Sequence, residues 1–365
     1  MHHAAPAGPA REDDHLTSAP TGRPSLLLVS SLYPTVDRPE VGPFVARRVD
    51  ALRRRGVHVE VVVAGEYRSG PIVRHLGMLI RSLGASGPFL GVESHVLLPA
   101  GLIGSVAART RRIPHVTYAH GSDVIATARR SWFHRSAARY VARSASAVVT
   151  NSLYMASFVE RLGVIPAVVS PGVDLLSFSP GSRRDARLQT GLPADARIAM
   201  FVGRSSQLKG ADLFTEAVSK SAGWLGVIVG TGELEPAIAA RHPAIVRAGT
   251  VPPDEIPSWL RSADVVVAPS RNEGLGLVAI EALACGIPVI ASEVGGLAET
   301  IHDGVNGLLV VPGNSKAIIA ALERIADPDV RTRLAEAAPA SVAQHSIEHT
   351  TDAMAAVWAG VGVRL

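Results

Sequence analysis

Short apolar runs alternate with helical patterns along the chain from Ser25 onward. The first repeat reads SLLLVS, FVARRVDALRRRG and VHVEVVVAG, which predicts a strand, an amphipathic helix and a second strand. The runs SHVLLPA, PHVTYAH, SAVVTNS and PAVVSPG continue this rhythm, which is typical of a parallel sheet with helical crossovers. We therefore predict a first doubly wound, Rossmann-like α/β domain over residues 24–178.

The pattern lapses between Asp174 and Ala196, where Pro, Gly, Ser and Arg interrupt any period. It restarts with ARIAMFVG, LGVIVG, PAIVRAG, ADVVVAPS, IPVIAS and GLLVVPG, which predict a second doubly wound domain over residues 179–343. A helical pattern over 344–365 predicts a helix that crosses back to the first domain. Residues 1–23 lack periodicity and predict a disordered tail.

Composition narrows the class of protein. Hydrophobic residues make up 47% of the chain and charged residues 19%, which is typical of a globular protein. The basic residues are nearly all Arg, which suggests phosphates or an anionic surface as partners. The one cysteine, Cys285, excludes an intramolecular disulfide and fits a reducing compartment. Without a secretory signal or a stretch of roughly 18 apolar residues, we expect a cytoplasmic protein.

The stretch SRNEGLGLVAIEALACGIPV carries the most chemical information. Glu273 and Glu281 bracket a Gly-rich helix start that follows the strand ADVVVAP. If that helix begins near Gly274, eight residues give a rise of about 12 Å, so the two carboxylates would flank one groove of the size of a sugar nucleotide. The free N–H groups of Gly274, Leu275, Gly276 and Leu277 would face a diphosphate. The competing interpretation is that Glu273 caps the helix and Glu281 is solvated.

Other candidate residues follow predicted strands. Arg204 and Lys209 lie in FVGRSSQLKG, after the first strand of the second domain, where two cations would neutralise a departing diphosphate. A solvated loop is the alternative. His120 follows a strand in HVTYAHGSDV, although a lone histidine is more often structural. Gly42 lies at a predicted helix start, where a backbone can approach phosphate closely.

These motifs resemble those of glycosyltransferase family 4, the retaining group 1 enzymes of the GT-B fold. The marks are SLYPTVDRPEVGPFV, HGSD, TNS, SPGVD, VGR with KG, EGLGLVAIEALACGIPVIAS and VGGLAETIHDGVNGLLV. The resemblance implies two Rossmann-like domains across a cleft that holds a UDP- or GDP-sugar. It also implies retaining transfer of the sugar to a hydroxyl of a glycan, lipid carrier or small natural product, without a metal or other cofactor. No nucleic-acid partner is expected.

The resemblance also implies roles for single residues. Arg204 and Lys209 would bind the donor diphosphate, Glu281 the ribose, and Val251 the base through its backbone. Glu273 and the amides of Gly274 to Leu277 would bind the donor sugar and phosphate, and His120 would contact the sugar from the first domain. Many relatives carry two glycines in the first loop, whereas this chain has Val41 and Gly42.

Alternative functions remain at this point. A sugar-nucleotide epimerase shares the architecture, and a non-catalytic nucleotide-sugar binder would keep the same donor residues. The helical segment with Ile72, Leu76 and Ile80 among arginines suggests either an ordinary surface helix or a peripheral contact with an anionic membrane, to which Arg53, Arg54 and Arg55 would add. The Asp327, Pro328, Asp329 run reads as a helix stop and restart rather than a metal site.

Overall fold

A computed structural model describes residues 24–35, 38, 41–64, 70–120 and 131–365. The predicted disordered tail, residues 1–23, lies outside the described residues, as do Gly121 and Asp123 of the HGSD motif. Within the described part of the chain, no helix is long and apolar enough to cross a bilayer.

The chain forms two compact units. The first unit consists of the chain up to Gly172 together with the C-terminal segment Ile347–Leu365. The second unit consists of Val173–Ser346. The sequence pattern had placed these boundaries after residues 178 and 343. The structure moves the first boundary because Val173 donates its N–H to the His345 carbonyl at 2.8 Å, and because Phe178 is packed in the core of the second unit.

The first unit is built on six parallel strands in the order β2-β1-β3-β4-β5-β6. Leu26 and Leu28 of β1 pack on one face of the sheet, and Leu27 and Val29 on the other. Both faces are therefore covered, which explains the continuous apolar run SLLLVS. The strands are β1 (Ser25–Ser30), β2 (His58–Val63), β3 (Gly91–His95), β4 (His115–Ala119), β5 (Ala147–Thr150) and β6 (Ala167–Val168).

Helices α1 and α14 cover one face of this sheet, and α2 and α3 cover the opposite face, next to α4. The predicted strand SHVLLPA is wrong in its second half, because the strand ends at His95 and an irregular turn, Leu97–Gly101, follows it, with Leu98 in an extended conformation (φ −137°, ψ 133°). Pro99 cannot donate a ladder hydrogen bond. The helices are α1 (Pro43–Arg54), α2 (Pro71–Gly84), α3 (Leu102–Arg111), α4 (Trp132–Ser144), α5 (Leu153–Glu160) and α14 (Ile347–Gly360).

The second unit has six parallel strands in the order β12-β11-β10-β7-β8-β9, which is the doubly wound Rossmann order. The strands are β7 (Arg197–Val202), β8 (Trp224–Val229), β9 (Val246–Gly249), β10 (Val265–Ala268), β11 (Val289–Ser292) and β12 (Gly307–Val310). The strand order reverses between β7 and β10. A crevice forms at such a point, outside the carboxyl ends of the strands, and ligands of this fold class bind there.

Helices connect these strands on both faces of the sheet. Between α12 and α13, the Asp327 carboxylate accepts a hydrogen bond from the Asp329 N–H at 2.9 Å, which is the predicted helix stop and restart. The helices are α6 (Arg183–Thr190), α7 (Ala211–Lys220), α8 (Glu235–Arg241), α9 (Ile256–Ser262), α10 (Leu277–Ala284), α11 (Gly295–Thr300), α12 (Ser315–Ala326) and α13 (Pro328–Ala337), with a short 3₁₀-helix at Ala340–His345.

Candidate active site

Two loops of the second unit meet where its strand order reverses. Lys209 follows β7 and Glu273 follows β10, and Lys209 Nζ donates a hydrogen bond of 2.6 Å to Glu273 Oε2. The Ser270 hydroxyl donates to the same oxygen at 3.1 Å. The structure thus brings two predicted site residues together at the edge where this fold binds ligands.

Close backbone packing and one arginine hold the two loops in register. Gly210 has a φ of 75°, and a Cβ atom at this position would lie 2.0 Å from the Pro269 carbonyl oxygen, so a larger residue does not fit. Arg271 donates to both carboxylate oxygens of Asp212, at 2.8 and 2.7 Å. Burial alone would raise the pKa of Asp212, but its hydrogen bonds and charge attraction with Arg271 lower that pKa below its usual value.

Helix α10 begins at Leu277, with Gly276 as its N-terminal capping residue at a φ of 89°. The predicted start near Gly274 is therefore wrong, because the left-handed backbone of Gly276 ends the preceding loop. Glu273 lies in that loop and not in the helix. The spacing of Glu273 and Glu281 is therefore not the rise of eight helical residues that the sequence predicted. A Cβ atom on Gly276 would come within 2.5 Å of the Leu297 side chain, which explains the glycine.

Glu281 lies within α10 and is only 7% exposed. Glu273 makes its hydrogen bonds with Lys209 and Ser270, whereas Gly276 occupies the capping position. The interpretation of one glutamate as a helix cap and the other as a solvated residue is therefore wrong on both counts.

Three glycine-containing loops lie together after β7, β8 and β9. Arg204 is exposed on the first of these loops. A Cβ atom on Gly232 would lie 2.5 Å from the Ser205 carbonyl oxygen, and the Gly230 N–H donates to the Gly249 carbonyl at 2.7 Å. Val251 follows the third loop and is half-buried against the core of the unit. Arg204 and Val251 thus belong to one group of loops at the same sheet edge as Lys209.

In the first unit, Gly42 caps the start of α1 with a φ of 65°. A Cβ atom on it would lie 2.6 Å from the Leu32 carbonyl, so this glycine is required by the close approach of two backbone segments. Phe44, in the first turn of α1, packs against His120 with ring centroids 4.9 Å apart. The Asn151 amide donates to the His120 carbonyl at 2.9 Å and holds the backbone after β4.

His120 is the last member of a buried chain of hydrogen bonds. Its Nε2 atom lies 2.8 Å from His95 Nδ1, and His95 Nε2 lies 3.1 Å from Glu93 Oε1. Arg48 donates to both oxygens of Glu93, at 2.5 and 2.8 Å. The Trp358 indole N–H of α14 donates to the same carboxylate at 3.2 Å. Glu93 and His95 lie on β3, so the strand itself aligns the chain of bonds.

The pKa shifts in this network determine where its protons lie. Burial would raise the pKa of Glu93, but the charge of Arg48 and its hydrogen bonds hold that pKa far below its usual value. Burial lowers the pKa of His95, and burial together with His95 lowers the pKa of His120 well below its usual value. The carboxylate is therefore ionised and both imidazoles are neutral near pH 7.

These protonation states fix one tautomer for each histidine. The Glu93 carboxylate can only accept, so His95 carries its proton on Nε2 and its Nδ1 accepts from His120 Nε2–H. His120 Nδ1 then carries no proton and can only accept a hydrogen bond. This atom is buried and has no hydrogen-bond partner among the described residues.

Sequence reasoning missed Arg48, Glu93, His95 and Arg271. A signal for the buried network was present, because Glu93, Ser94 and His95 interrupt a strand that must be buried on both faces. Arg271 had no such signal, since its partner Asp212 lies far away in the sequence. The predicted donor cleft concerns the two units together and stays a prediction. Within the described residues, no three His, Cys, Asp or Glu side chains group as a metal site requires.

Comparisons with known proteins identify the family. Residues 196–327 match the family described as glycosyl transferases group 1, and residues 91–176 match glycosyltransferase family 4. A D-inositol 3-phosphate glycosyltransferase of Mycobacterium tuberculosis is 32% identical over an alignment that covers 84% of this chain and 75% of the relative. A protein of the same name from Nocardiopsis dassonvillei is 38% identical, over 53% of this chain and 49% of its own length.

Solved structures share the fold. A sucrose-phosphate synthase from Thermosynechococcus elongatus superposes with a TM-score of 0.79 at 22% identity, covering 93% of this chain and 99% of that one. Anabaena HepE in complex with UDP-glucose gives a TM-score of 0.75 at 20% identity, covering 92% and 99%. The matching families, the relative from Mycobacterium tuberculosis and the two Rossmann-like units place this chain in glycosyltransferase family 4, as a group 1 glycosyltransferase of the GT-B fold that uses a nucleotide-sugar donor.

Proposed function

We propose that the protein transfers a sugar, with retention at the anomeric carbon, from a UDP- or GDP-sugar to an acceptor hydroxyl. The observation that carries this proposal is the contact of Lys209 with Glu273 at the carboxyl edge of the second sheet. A cation for the phosphate and an anion for sugar hydroxyls stand side by side there, which is what a sugar diphosphate requires at its scissile bond.

The donor diphosphate binds Arg204, Lys209 and the backbone amides at the start of α10. Arg204 is exposed and Lys209 is 39% exposed, so an anionic ligand can reach both. The amides of Gly274, Leu275, Gly276 and Leu277 precede or open the helix, where the helix dipole favours negative charge. These groups stabilise the charge that grows on the leaving diphosphate, without a metal ion.

The two glutamates bind different parts of the donor. When Lys209 moves onto phosphate, Glu273 is released to accept hydrogen bonds from the transferred sugar. Glu281, which lies within α10, binds the ribose hydroxyls, as the family resemblance implies. Val251 binds the base through its backbone.

His120 positions a substrate hydroxyl as a neutral acceptor. Its Nδ1 atom lacks a partner among the described residues, and an unpaired buried acceptor calls for a ligand donor. Because Nε2–H is committed to His95, this histidine accepts a hydrogen bond and does not deliver a proton near pH 7. Gly42 keeps the backbone of its loop close to Leu32 and so shapes the same region.

The transfer itself follows a front-face course. The acceptor oxygen forms a bond to the anomeric carbon on the side from which the phosphate leaves. As the bond between that carbon and the phosphate oxygen breaks, the acceptor proton passes to an oxygen of the leaving phosphate. No side-chain nucleophile takes part.

D-inositol 3-phosphate is the first acceptor to test, since relatives at 32% and 38% identity carry its name. The experiment incubates the protein with a panel of UDP- and GDP-sugars and this acceptor, with EDTA and then with magnesium. Proton NMR then reports the product and its anomeric configuration. We expect a glycoside whose configuration matches the donor.

Other outcomes separate the alternatives. A glycoside of inverted configuration would contradict retention. Conversion of the donor to an epimer without an acceptor would identify an epimerase. Donor binding without turnover, across a broad acceptor panel, would identify a non-catalytic binder. Activity only with magnesium would contradict the metal-free leaving-group role of Arg204 and Lys209.

A further inference from the structure

Helix α2 exposes an apolar face on the first unit. Ile72 is 81% exposed, Val73 64%, Leu76 54%, Ile80 62% and Leu83 42%. On a helical wheel these five positions fall within about 100° of arc. The helix packs on the sheet through a different side, which carries the buried Met78. An apolar stripe turned away from the core marks an interaction surface.

The neighbouring helices continue this face. Helix α3 packs between α2 and α4, and it exposes Leu102 and Val106, at 38% and 37%. Helix α4 begins with Trp132 and Phe133, which are 59% and 66% exposed. We call the outer side of α2, α3 and α4 the docking face.

The charged residues of the docking face are all basic. Each of the three helices carries two or three arginines, and none contains an Asp or Glu. Between α3 and α4, three of these arginines line an open depression of about 430 Å³, together with a tyrosine and two serines: Arg109, Arg139, Arg143, Tyr140, Ser136 and Ser144. Such a depression suits an anionic phosphate group.

Apolar residues and arginines occur at both ends of the face, since Arg74 and Arg135 lie in the first turns of α2 and α4 and Leu83 lies in the last turn of α2. Crossover helices run antiparallel to the strands, so the first turns of α2, α3 and α4 all lie at the carboxyl edge of the sheet. Ile72, Leu102 and Trp132 stand in these first turns. Arg81, Arg109 and Arg143 lie toward the other ends, at the amino edge.

We propose that the docking face binds the surface of an anionic lipid bilayer. The aliphatic and aromatic side chains enter the boundary between headgroups and acyl chains, and the arginines contact lipid phosphates. The exposed tryptophan fits this assignment, because indole rings favour that boundary. This proposal is independent of the sugar acceptor.

A second copy of the chain fits this face less well. In a twofold dimer the same surface pairs with itself, so its arginines would be buried without acidic partners from these helices. Arg53, Arg54 and Arg55 do not belong to this face, contrary to the sequence-based hypothesis. They lie at the end of α1, on the opposite face of the sheet, where Arg53 donates to the Val59 carbonyl and Arg55 to Asp352.

The test is co-sedimentation of the full chain with vesicles of phosphatidylcholine alone and of phosphatidylcholine with phosphatidylglycerol, at low salt. We expect binding to the anionic vesicles only. Leu76→Glu with Ile80→Glu should reduce the partition coefficient at least about 10-fold, because two apolar contacts are lost. Arg139→Glu with Arg143→Glu should reduce it at least about 30-fold, since each basic residue contributes about 1 kcal/mol.

Matched controls lie in the second unit. Leu188→Glu replaces a leucine that is 74% exposed there, and Arg241→Glu reverses an exposed arginine. Both should bind like the wild type, and circular dichroism should show that all variants are folded. Absence of binding to anionic vesicles at low salt would overturn the proposal. A wild-type dimer in analytical ultracentrifugation that Leu76→Glu dissociates would also overturn it, because the face would then be covered by a second copy.

Discussion

The polar centres of the two units are built in opposite ways. In the first unit, the Arg48 and Glu93 side chains are 4% and 0% exposed, and their network leads to His120. In the second unit, the Lys209 and Glu273 side chains are 39% and 16% exposed, and Arg204 on the loop after β7 is exposed. One centre is closed by its own hydrogen bonds, and the other is open to an anion.

This difference indicates a division of labour. A closed network fixes protonation and tautomer before any substrate arrives, so His120 presents an acceptor atom. An open ion pair costs little to separate, so Lys209 can exchange Glu273 for a phosphate. Mutations in the first centre should therefore mainly lower the stability of the fold, and mutations in the second centre should mainly lower turnover.

Glu93→Gln should have the largest effect on folding. It leaves the buried Arg48 charge without its carboxylate, and breaking such a pair costs about 3–5 kcal/mol. Urea denaturation at pH 7.5 measures the loss. Asp352→Asn is the control, because its pair with Arg55 is exposed and contributes no more than about 1 kcal/mol. Equal losses of unfolding free energy in the two variants would contradict the special role of the buried pair.

Lys209→Met should lower kcat about 100-fold or more, because in the proposed mechanism this cation stabilises the leaving diphosphate. The free energy of unfolding should change by less than about 1 kcal/mol, since the pair with Glu273 is partly solvated. Steady-state kinetics and urea denaturation measure the two effects. The control is Lys220→Met, which breaks an exposed pair with Glu216. Unchanged turnover in Lys209→Met would remove this lysine from the mechanism.

The first unit should lose stability as the pH falls below neutrality. Burial lowers the pKa of His115 to about 4, and the pKa values of His95 and His120 are lowered as well. Between about pH 6.5 and 4, the unfolded chain binds protons that the folded chain does not, so stability is present above this window and lost within it.

We expect His115 to account for about 1–3 kcal/mol of this loss. Urea denaturation of the wild type and of His115→Asn, at pH 7.5 and pH 5, measures the difference. The variant should depend less on pH. His242→Asn changes a partly exposed histidine of the second unit and is the control. The same pH dependence in the wild type and His115→Asn would contradict the assignment.

Arg271→Lys should have the smallest effect. A lysine cannot replace the two bonds that Arg271 makes to Asp212, so the loop that carries Glu273 loosens. Because both side chains are 37% exposed, stability should change by less than about 1 kcal/mol. Turnover should fall about 10-fold through misplacement of Glu273. A wild-type kcat would show that the clamp does not position this carboxylate.

Much of the fold could be predicted from the alternation of apolar strands and amphipathic helices in the sequence. The strand order was not, because pairing between β7 and β10 depends on contacts far apart in the sequence. Local backbone geometry was also hidden. The left-handed Gly276 moves the start of α10 to Leu277, and a Gly-x-Gly pattern alone does not reveal which glycine ends the loop.

The candidate site was predictable where a single motif carries it. Glu273 and Glu281 belong to one stretch, and Lys209 follows a recognisable strand. The network behind His120 was not predicted, because Arg48, Glu93 and Trp358 come from α1, β3 and α14 and meet only in the folded unit. Buried polar residues in a strand are a signal, but their partners depend on tertiary packing.

The central claim is that the open centre of the second unit binds a nucleoside diphosphate. Isothermal titration of UDP and GDP in EDTA, into the wild type, Arg204→Gln and Glu281→Ala, tests it most directly. We predict that one of the two ligands binds, and that each variant weakens binding about 10-fold or more, since each loses hydrogen bonds that involve a charged group. Wild-type affinity in both variants, or no binding of either nucleotide, would contradict the account.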